Sequence, residues 1–170
     1  LFVFCSHSIG FFVYTNNSNQ MRSEEIKNNF LGKTFFCSGE ESENREDNYE
    51  GDSYTITAKF EYTMKFEADG KVDTAYVANQ SVKNNDANRI KYSPENPTKE
   101  LKESFDSFEI TTDSDGSVNL KLKEKSKEAT YKVRVNDENE PVEIYDALEL
   151  GSHSYNLEVQ KATNVNTITE

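Results

Sequence analysis

The chain contains no tryptophan, and only two cysteines, two histidines, three prolines and seven glycines among 170 residues, while basic side chains number 19 against 31 acidic ones. Each shortage excludes something. Two cysteines cannot build the disulfide framework of a small secreted scaffold, and neither sits in a Cys-x-x-Cys or Cys/His spacing that would hold zinc, so no metal or other cofactor is expected. A formal charge of −12 with no basic cluster lacks the footprint that phosphate backbones attract, so no nucleic-acid partner is expected. No apolar run reaches the ~20 residues of a membrane-crossing helix, and no stable span is expected in the mature domain. Leu, Ile, Val and Phe together make about 22% of the chain, just above the ~20% below which a highly charged chain stays disordered. A single domain with a thin, carefully placed core is the consequence.

Residues 1–21 are of different material, without a single charged side chain. Leu1-Phe2-Val3-Phe4-Cys5 and Ile9-Gly10-Phe11-Phe12-Val13-Tyr14 flank the polar Ser6-His7-Ser8. The stretch reads as an apolar leader, the remnant of a secretory signal without its basic n-region, or else as a first strand over residues 11–14. The leader reading places the protein outside the cell or on its surface. Retention of the leader would let Cys5 pair with Cys37, whereas cleavage would leave Cys37 a single thiol. The wealth of Asn, Lys and Glu is compatible with a bacterial source. The domain itself is expected over 22–162, followed by a frayed tail at 163–170.

From residue 30 onward the pattern is that of strands. Tyr54, Ile56, Ala58, Phe60, Tyr62, Met64 and Phe66 alternate with polar residues from Ser53 to Glu67, a period of two that predicts a long strand. Ala68-Asp69-Gly70 supplies a turn, and Val72, Thr74, Tyr76 and Ala78 continue the alternation on a returning strand. A second meander follows. Phe108 and Ile110 lead through Asp113-Ser114-Asp115-Gly116 to Val118, Leu120 and Leu122; then come Ala129 to Val135, the turn Asn136-Asp137-Glu138-Asn139, Val142 and Ile144, the turn Gly151-Ser152-His153-Ser154, and Tyr155 to Val159. Helix is expected only in two short pieces. One is Arg22–Asn29; the other follows Asn96-Pro97 and sets Leu101 and Phe105 at i, i+4 spacing. Residues 84–94 read as a loop, with an edge strand conceivable at Ile90 and Tyr92.

With Phe30–Cys37 included, the count is about eight strands in one up-and-down antiparallel meander, the number at which a sheet closes into a barrel able to hold one small ligand. A two-layer sandwich is the alternative. The segment Phe30-Leu31-Gly32-Lys33-Thr34-Phe35-Phe36 resembles the first strand of the calycin superfamily, the lipocalins and fatty-acid-binding proteins, where a helical turn leads into a Gly-x-Trp strand. Phe35 or Thr34 stands where the tryptophan would be. The resemblance covers seven residues together with strand count, and it implies a lipocalin-like barrel with an interior site for lipid.

The chemistry-bearing candidates are few. Residues 38–52 hold Glu40, Glu41, Glu43, Glu46, Asp47, Glu50 and Asp52 against Arg45 alone, without the alternating spacing that would gather oxygens around calcium, and they read as a solvated loop. Asp113–Gly116 begins like an EF-hand but continues as strand, so it reads as a hairpin turn. His153 sits in a Gly/Ser turn with no nucleophile elbow and no oxyanion hole, and no carboxylate pair stands out, so no enzyme activity and no catalytic residue is expected. The aromatic face carries more. Tyr54, Phe60, Tyr62, Met64, Phe66, Tyr76, Phe108 and Tyr131 would all face the interior of a closed sheet, either filling it as core or lining a cavity for an apolar or amphipathic ligand. The function expected is that of an exported, monomeric, non-enzymatic barrel binding a small apolar ligand. The alternative is a cell-envelope or secreted interaction domain whose packed interior leaves the acidic surface to meet a macromolecule.

Overall fold

The structure, a computed structural model, describes residues 7–47, 52–85, 97–150 and 153–160. It is mainly β: one helix and nine antiparallel strands forming a nearly closed barrel. Helix α1 spans His7–Phe30, and the strands are β1 (Thr34–Asp47), β2 (Asp52–Phe66), β3 (Val72–Asn84), β4 (Thr98–Phe105), β5 (Ser107–Thr112), β6 (Val118–Glu124), β7 (Lys127–Val135), β8 (Pro141–Leu150) and β9 (His153–Val159). Their order across the sheet is β4-β3-β2-β1-β9-β8-β7-β6-β5. Every strand pairs with its chain neighbour except where β1 meets β9 and where β4 parts from β5. The gap in the barrel therefore falls inside the chain, at Asp106, and not between first and last strands. Phe105 still pairs with Val72 of β3, whereas Ser107 already pairs with Lys123 of β6. A single descending segment thus serves one half-sheet with its upper part and the other with its lower part.

Several local features depart from the pattern-based expectations. Residues 11–14 lie in α1, not in a first strand, and the helix is far longer than the turn or two expected at Arg22–Asn29. Thr98–Phe105 is strand β4, not helix. Leu101 and Phe105 are four residues apart, and four is both about one helical turn and two strand repeats, so their spacing fits either structure. The open edge of β3 decides between them, because a strand there pairs its full length and lets Phe105 cover Val72. The acid-rich segment expected as a loop from residue 38 continues as β1 to Asp47, held by cross-strand contacts such as Ser42 with Thr57 and Lys59 with Glu40. His153 opens β9. Cys5, the segment 86–96 and the tail 163–170 lie outside the described residues.

Strand direction sorts the connections into two ends, a base and a mouth. At the base, three turns share one geometry: Glu67–Lys71, Asp113–Ser117 and Asn136–Glu140 are each closed by a backbone bond from first residue to fifth and one from fourth to first. The fourth residue is in the left-handed region in every case, Gly70 at φ 88°, Gly116 at φ 87° and Asn139 at φ 58°. This is the type I turn plus bulge of short hairpins, and it explains why glycine or asparagine stands there.

Helix α1 is seated on those turns. Its Arg22 donates from Nε to Asn139 Oδ1 at 3.0 Å and from Nη1 to the Gly116 carbonyl at 3.1 Å, so one guanidinium ties two hairpins together. Asn29 donates to the Asn139 carbonyl, Asn139 donates to Glu25, and the hydroxyls of Ser23 and Thr112 meet at 2.9 Å. Ile26 and Phe30, one turn apart, bury the helix face that fills the gap beside β5, which would otherwise be an unprotected edge. The helix ends at Phe30, and Gly32, at a φ of 77°, turns the chain away from it while its amide donates to the Phe66 carbonyl at 2.8 Å. Among the described residues no helix is long and apolar enough to cross a membrane.

Around Phe30 the base is solid. Its ring lies 4.6 Å from Phe66, 5.4 Å from Phe35 and 5.8 Å from Phe108, and Phe66 meets Phe108 edge-on at 4.9 Å. Met64, Val72, Ile110, Val118, Leu120, Leu122, Val133, Ile144 and Leu157 join a buried cluster to which β1, β4 and α1 add Phe35, Phe105 and Ile26, so every strand and the helix contribute to it.

Candidate functional site

The site begins where this core ends. Along β2 the inward residues Phe66, Met64 and Phe60 are buried, but Tyr62, Ala58, Ile56 and Tyr54 are only half-buried. The cause is the register. Among the described residues β1 meets β9 over a short ladder, Phe35 and Phe36 pairing with Val159 and Glu158 and the Gln160 amide donating to the Thr34 carbonyl, while β1, β2 and β3 run on together as a ribbon up to Arg45, Tyr54 and Asn84. Above the core this ribbon presents its inner face to an open mouth.

Four of the eight residues singled out from the sequence sit in the solid base or just above it: Phe60, Met64, Phe66 and Phe108 are buried against other core side chains. The other four, Tyr54, Tyr62, Tyr76 and Tyr131, are half-buried on the same inner face. Tyr62 and Tyr76 are direct cross-strand partners, and the Phe60 and Tyr76 rings stack at 6.4 Å. Tyr131 of β7, the cross-strand partner of Leu120 on β6, lies near enough on the other wall to raise the ionisation of Tyr62.

Between β2, β3 and the start of β4 the inner face holds a half-open cavity of about 700 Å³. Ala58 and Ala78 make the room, Tyr76 forms one wall, and Gln80 with Thr98, Lys99 and Glu100 form the rim. The small side chains are the reason for the space: on neighbouring strands Phe60 pairs with Ala78 and Ala58 with Gln80, so a bulky residue faces a small one at the core and none fills the next row. Leu101, opposite Tyr76, is 52% exposed although it shares the face of the buried Phe105. The cavity volume and its aromatic wall, with the uncovered leucine beside them on the same inner face, make a place for a partly apolar ligand.

The polar groups here are conditioned by burial. Burial, together with the nearby Tyr131 phenol and Glu103 carboxylate, pushes the Tyr62 hydroxyl well above the ordinary tyrosine range, against the opposing effect of its hydrogen bond with Thr74. Burial and then Glu103 raise Tyr131, and burial and then Glu41 raise Tyr76. Cys37, opposite Tyr62 in register, has its thiol pushed up to about 11 by burial. Buried and with its thiol held protonated, it packs as a small apolar side chain. Thr74, buried behind the tyrosines, donates to the Glu103 carbonyl. The phenols therefore stay neutral and offer ring faces and hydroxyls, not charge.

Tyr131, Leu101 and Glu103 reach the site from strands far from β2 in the sequence. Tyr131 was visible as an inward aromatic. Leu101 and Glu103 were hidden because their segment reads equally well as helix. Among the described residues no group of three His, Cys, Asp or Glu side chains is placed to hold a metal ion. The Asp113–Ser117 carboxylates are occupied within their own turn, Asp113 and Asp115 accepting from the Ser117 hydroxyl. Compared with family models, with curated proteins and with solved structures, the chain matches none, so the likeness to calycins rests on residues 30–36 and the strand pattern alone.

Proposed function

We propose that this is an exported, non-enzymatic barrel protein that binds a small amphipathic molecule at its mouth. The carrying observation is the half-buried row of Tyr54, Tyr62, Tyr76 and Tyr131 beside the cavity made by Ala58 and Ala78. Tyrosine supplies wide apolar contact at low entropic cost and keeps a hydroxyl for orientation, which suits a ligand with one apolar and one polar part. A cavity of about 700 Å³ is within the range of small-molecule sites. The export half of the reading rests on the uncharged, apolar residues 1–21.

Native mass spectrometry of the 170-residue chain, beside its denatured mass, tests the binding half. An excess of a few hundred daltons that is lost on denaturation is expected, as is uptake of an apolar fluorescent probe that the cavity-filling variant Ala78→Trp abolishes. No excess and no probe uptake would remove the reading and direct attention to a macromolecule recognised by the acidic surface.

A further inference from the structure

Strand β4 is the end of the sheet, and among the described residues no strand pairs with its far side. The opposite wall reaches only its base end, where Lys127 bonds Glu103 and sits 5.6 Å above the centre of the Phe105 ring. Above that point residues 98–102 form an open edge, and every β4 residue except Phe105 is exposed. Such an edge is a template for another strand. One bond shows which backbone groups are free. The Gln80 amide donates to the Pro97 carbonyl, so by the alternation of an antiparallel ladder Lys99, Leu101 and Glu103 turn their backbone groups to β3, while Thr98, Glu100, Lys102 and Ser104 turn theirs outward.

The side chains along this edge, Lys99, Glu100, Leu101, Lys102 and Glu103, reverse in charge about Leu101. Set antiparallel against an identical strand and centred there, Lys99 faces Glu103, Glu100 faces Lys102, and Leu101 faces its own counterpart. Glu100 and Lys102, whose backbone groups are free, then exchange the amide hydrogen bonds, and the leucines meet at the non-hydrogen-bonded position, where side chains approach closest. Sliding the pairing by two residues sets Glu100 on Glu100 or Lys102 on Lys102, and a parallel pairing in register sets every charge on its like, which is destabilising. The edge is also locally neutral in a chain of −12, so two copies meet where their net charge opposes them least.

We infer that a second copy of this chain docks at this edge, β4 on β4, giving a two-fold dimer with one continuous sheet across the seam, in place of the monomer expected from the sequence. The exposed Leu101 is covered by its counterpart. Lys99 and Glu100 also line the cavity rim, so the second copy's Glu103 and Lys102 lie beside that rim and each copy helps to wall the other's cavity. The dimer does not depend on what the cavity binds.

The test is sedimentation equilibrium of the full chain from about 5 to about 500 µM, a range suited to so small an interface. The mass is expected to rise from 19.5 kDa toward twice that value. Lys99→Glu with Lys102→Glu makes the edge acidic throughout, and Glu100→Lys with Glu103→Lys makes it basic throughout. Each double variant alone should stay monomeric, and an equimolar mixture should form a one-to-one dimer with a Kd within about tenfold of the wild type. Formation of that mixed dimer also certifies that both variants are folded. Leu101→Asp, which sets like charges on the two-fold axis, should be monomeric as well. A wild-type chain that stays at 19.5 kDa throughout, or a dimer that survives in either double variant alone or in Leu101→Asp, would overturn the proposal. So would failure of the mixture to pair while both variants keep the wild-type thermal midpoint.

Discussion

The base and the mouth of this barrel are made from the same strands yet are physically unlike. At the base four phenylalanine rings, Phe30, Phe35, Phe66 and Phe108, interlock within 4.6 to 5.8 Å, three hairpin turns repeat one geometry, and a helix seals the gap. At the mouth phenylalanine gives way to tyrosine and alanine, the long β1–β2–β3 ribbon outruns its partners, and side chains that alternate perfectly in sequence are only half-buried. The same period of two has opposite outcomes because burial needs something opposite. A strand supplies an apolar face, and only a second wall turns that face into a core.

If the base carries the stability, breaking it should cost most. Phe30→Ala removes the ring that touches three others and should destabilise the fold by about 3–5 kcal/mol, read as a lowered denaturation midpoint, whereas Tyr54→Ala in the ribbon should cost about 1 kcal/mol or less. Comparable losses at the two positions would erase the distinction. The next effect concerns the clamp. Arg22→Ala and Asn139→Ala should each cost about 1–3 kcal/mol, and because they share a hydrogen bond the double variant should cost less than the two losses together. Strict additivity would mean that α1 does not lean on the two turns through this pair.

The mouth should reveal itself in the response to alkali. Tyr62, Tyr131 and Cys37 all have their ionisation raised by burial, so the unfolded chain gives up these protons first. Their contribution to stability is therefore complete below the ordinary values, 9.0 for the thiol and 10.0 for the phenols, and is lost as pH climbs through and beyond them. A thermal midpoint that falls above pH ~9 is expected, and Tyr62→Phe should flatten the part of that fall above pH ~10. The smallest effect is dynamic. Amide exchange should be faster at Glu43–Arg45 and Val82–Asn84 than at Val118–Leu122, and ligand binding should slow the ribbon while leaving the base unchanged. Uniform protection along β2 would show that the ribbon is as well supported as the core.

How far the sequence announced this depends on the element. The Tyr54–Phe66 alternation and the Asp69-Gly70 and Asp115-Gly116 turns were legible because a strand's face and a turn's left-handed residue are local demands, met by residue type at fixed spacing. Helix α1 was underestimated because Ile26 and Phe30 are its only fully buried apolar residues in the described part, too sparse a stripe to predict 24 residues of helix. Strand β4 was mistaken because its two apolar residues satisfy two periods at once, and the acidic strand β1 because no rule of burial marks a strand that is largely exposed. The eight candidate residues stand at inward-facing strand positions, four buried and four half-buried, and that division between Phe66 in a packed base and Tyr62 at an open mouth was not legible.

By itself, then, the sequence determined the local grammar: antiparallel strands joined by short turns, one inward face rich in aromatics, an acidic exterior and an apolar opening stretch. Those follow from side-chain type and a repeat of two, which neighbouring residues alone can specify. Tertiary structure decided where the sheet closes, that Asp106 switches one segment between two partners, that α1 plugs the opening, and how high the opposing walls reach. Strand register and the length over which two strands stay paired depend on contacts between residues far apart in the chain, so only the assembled barrel separates core from cavity.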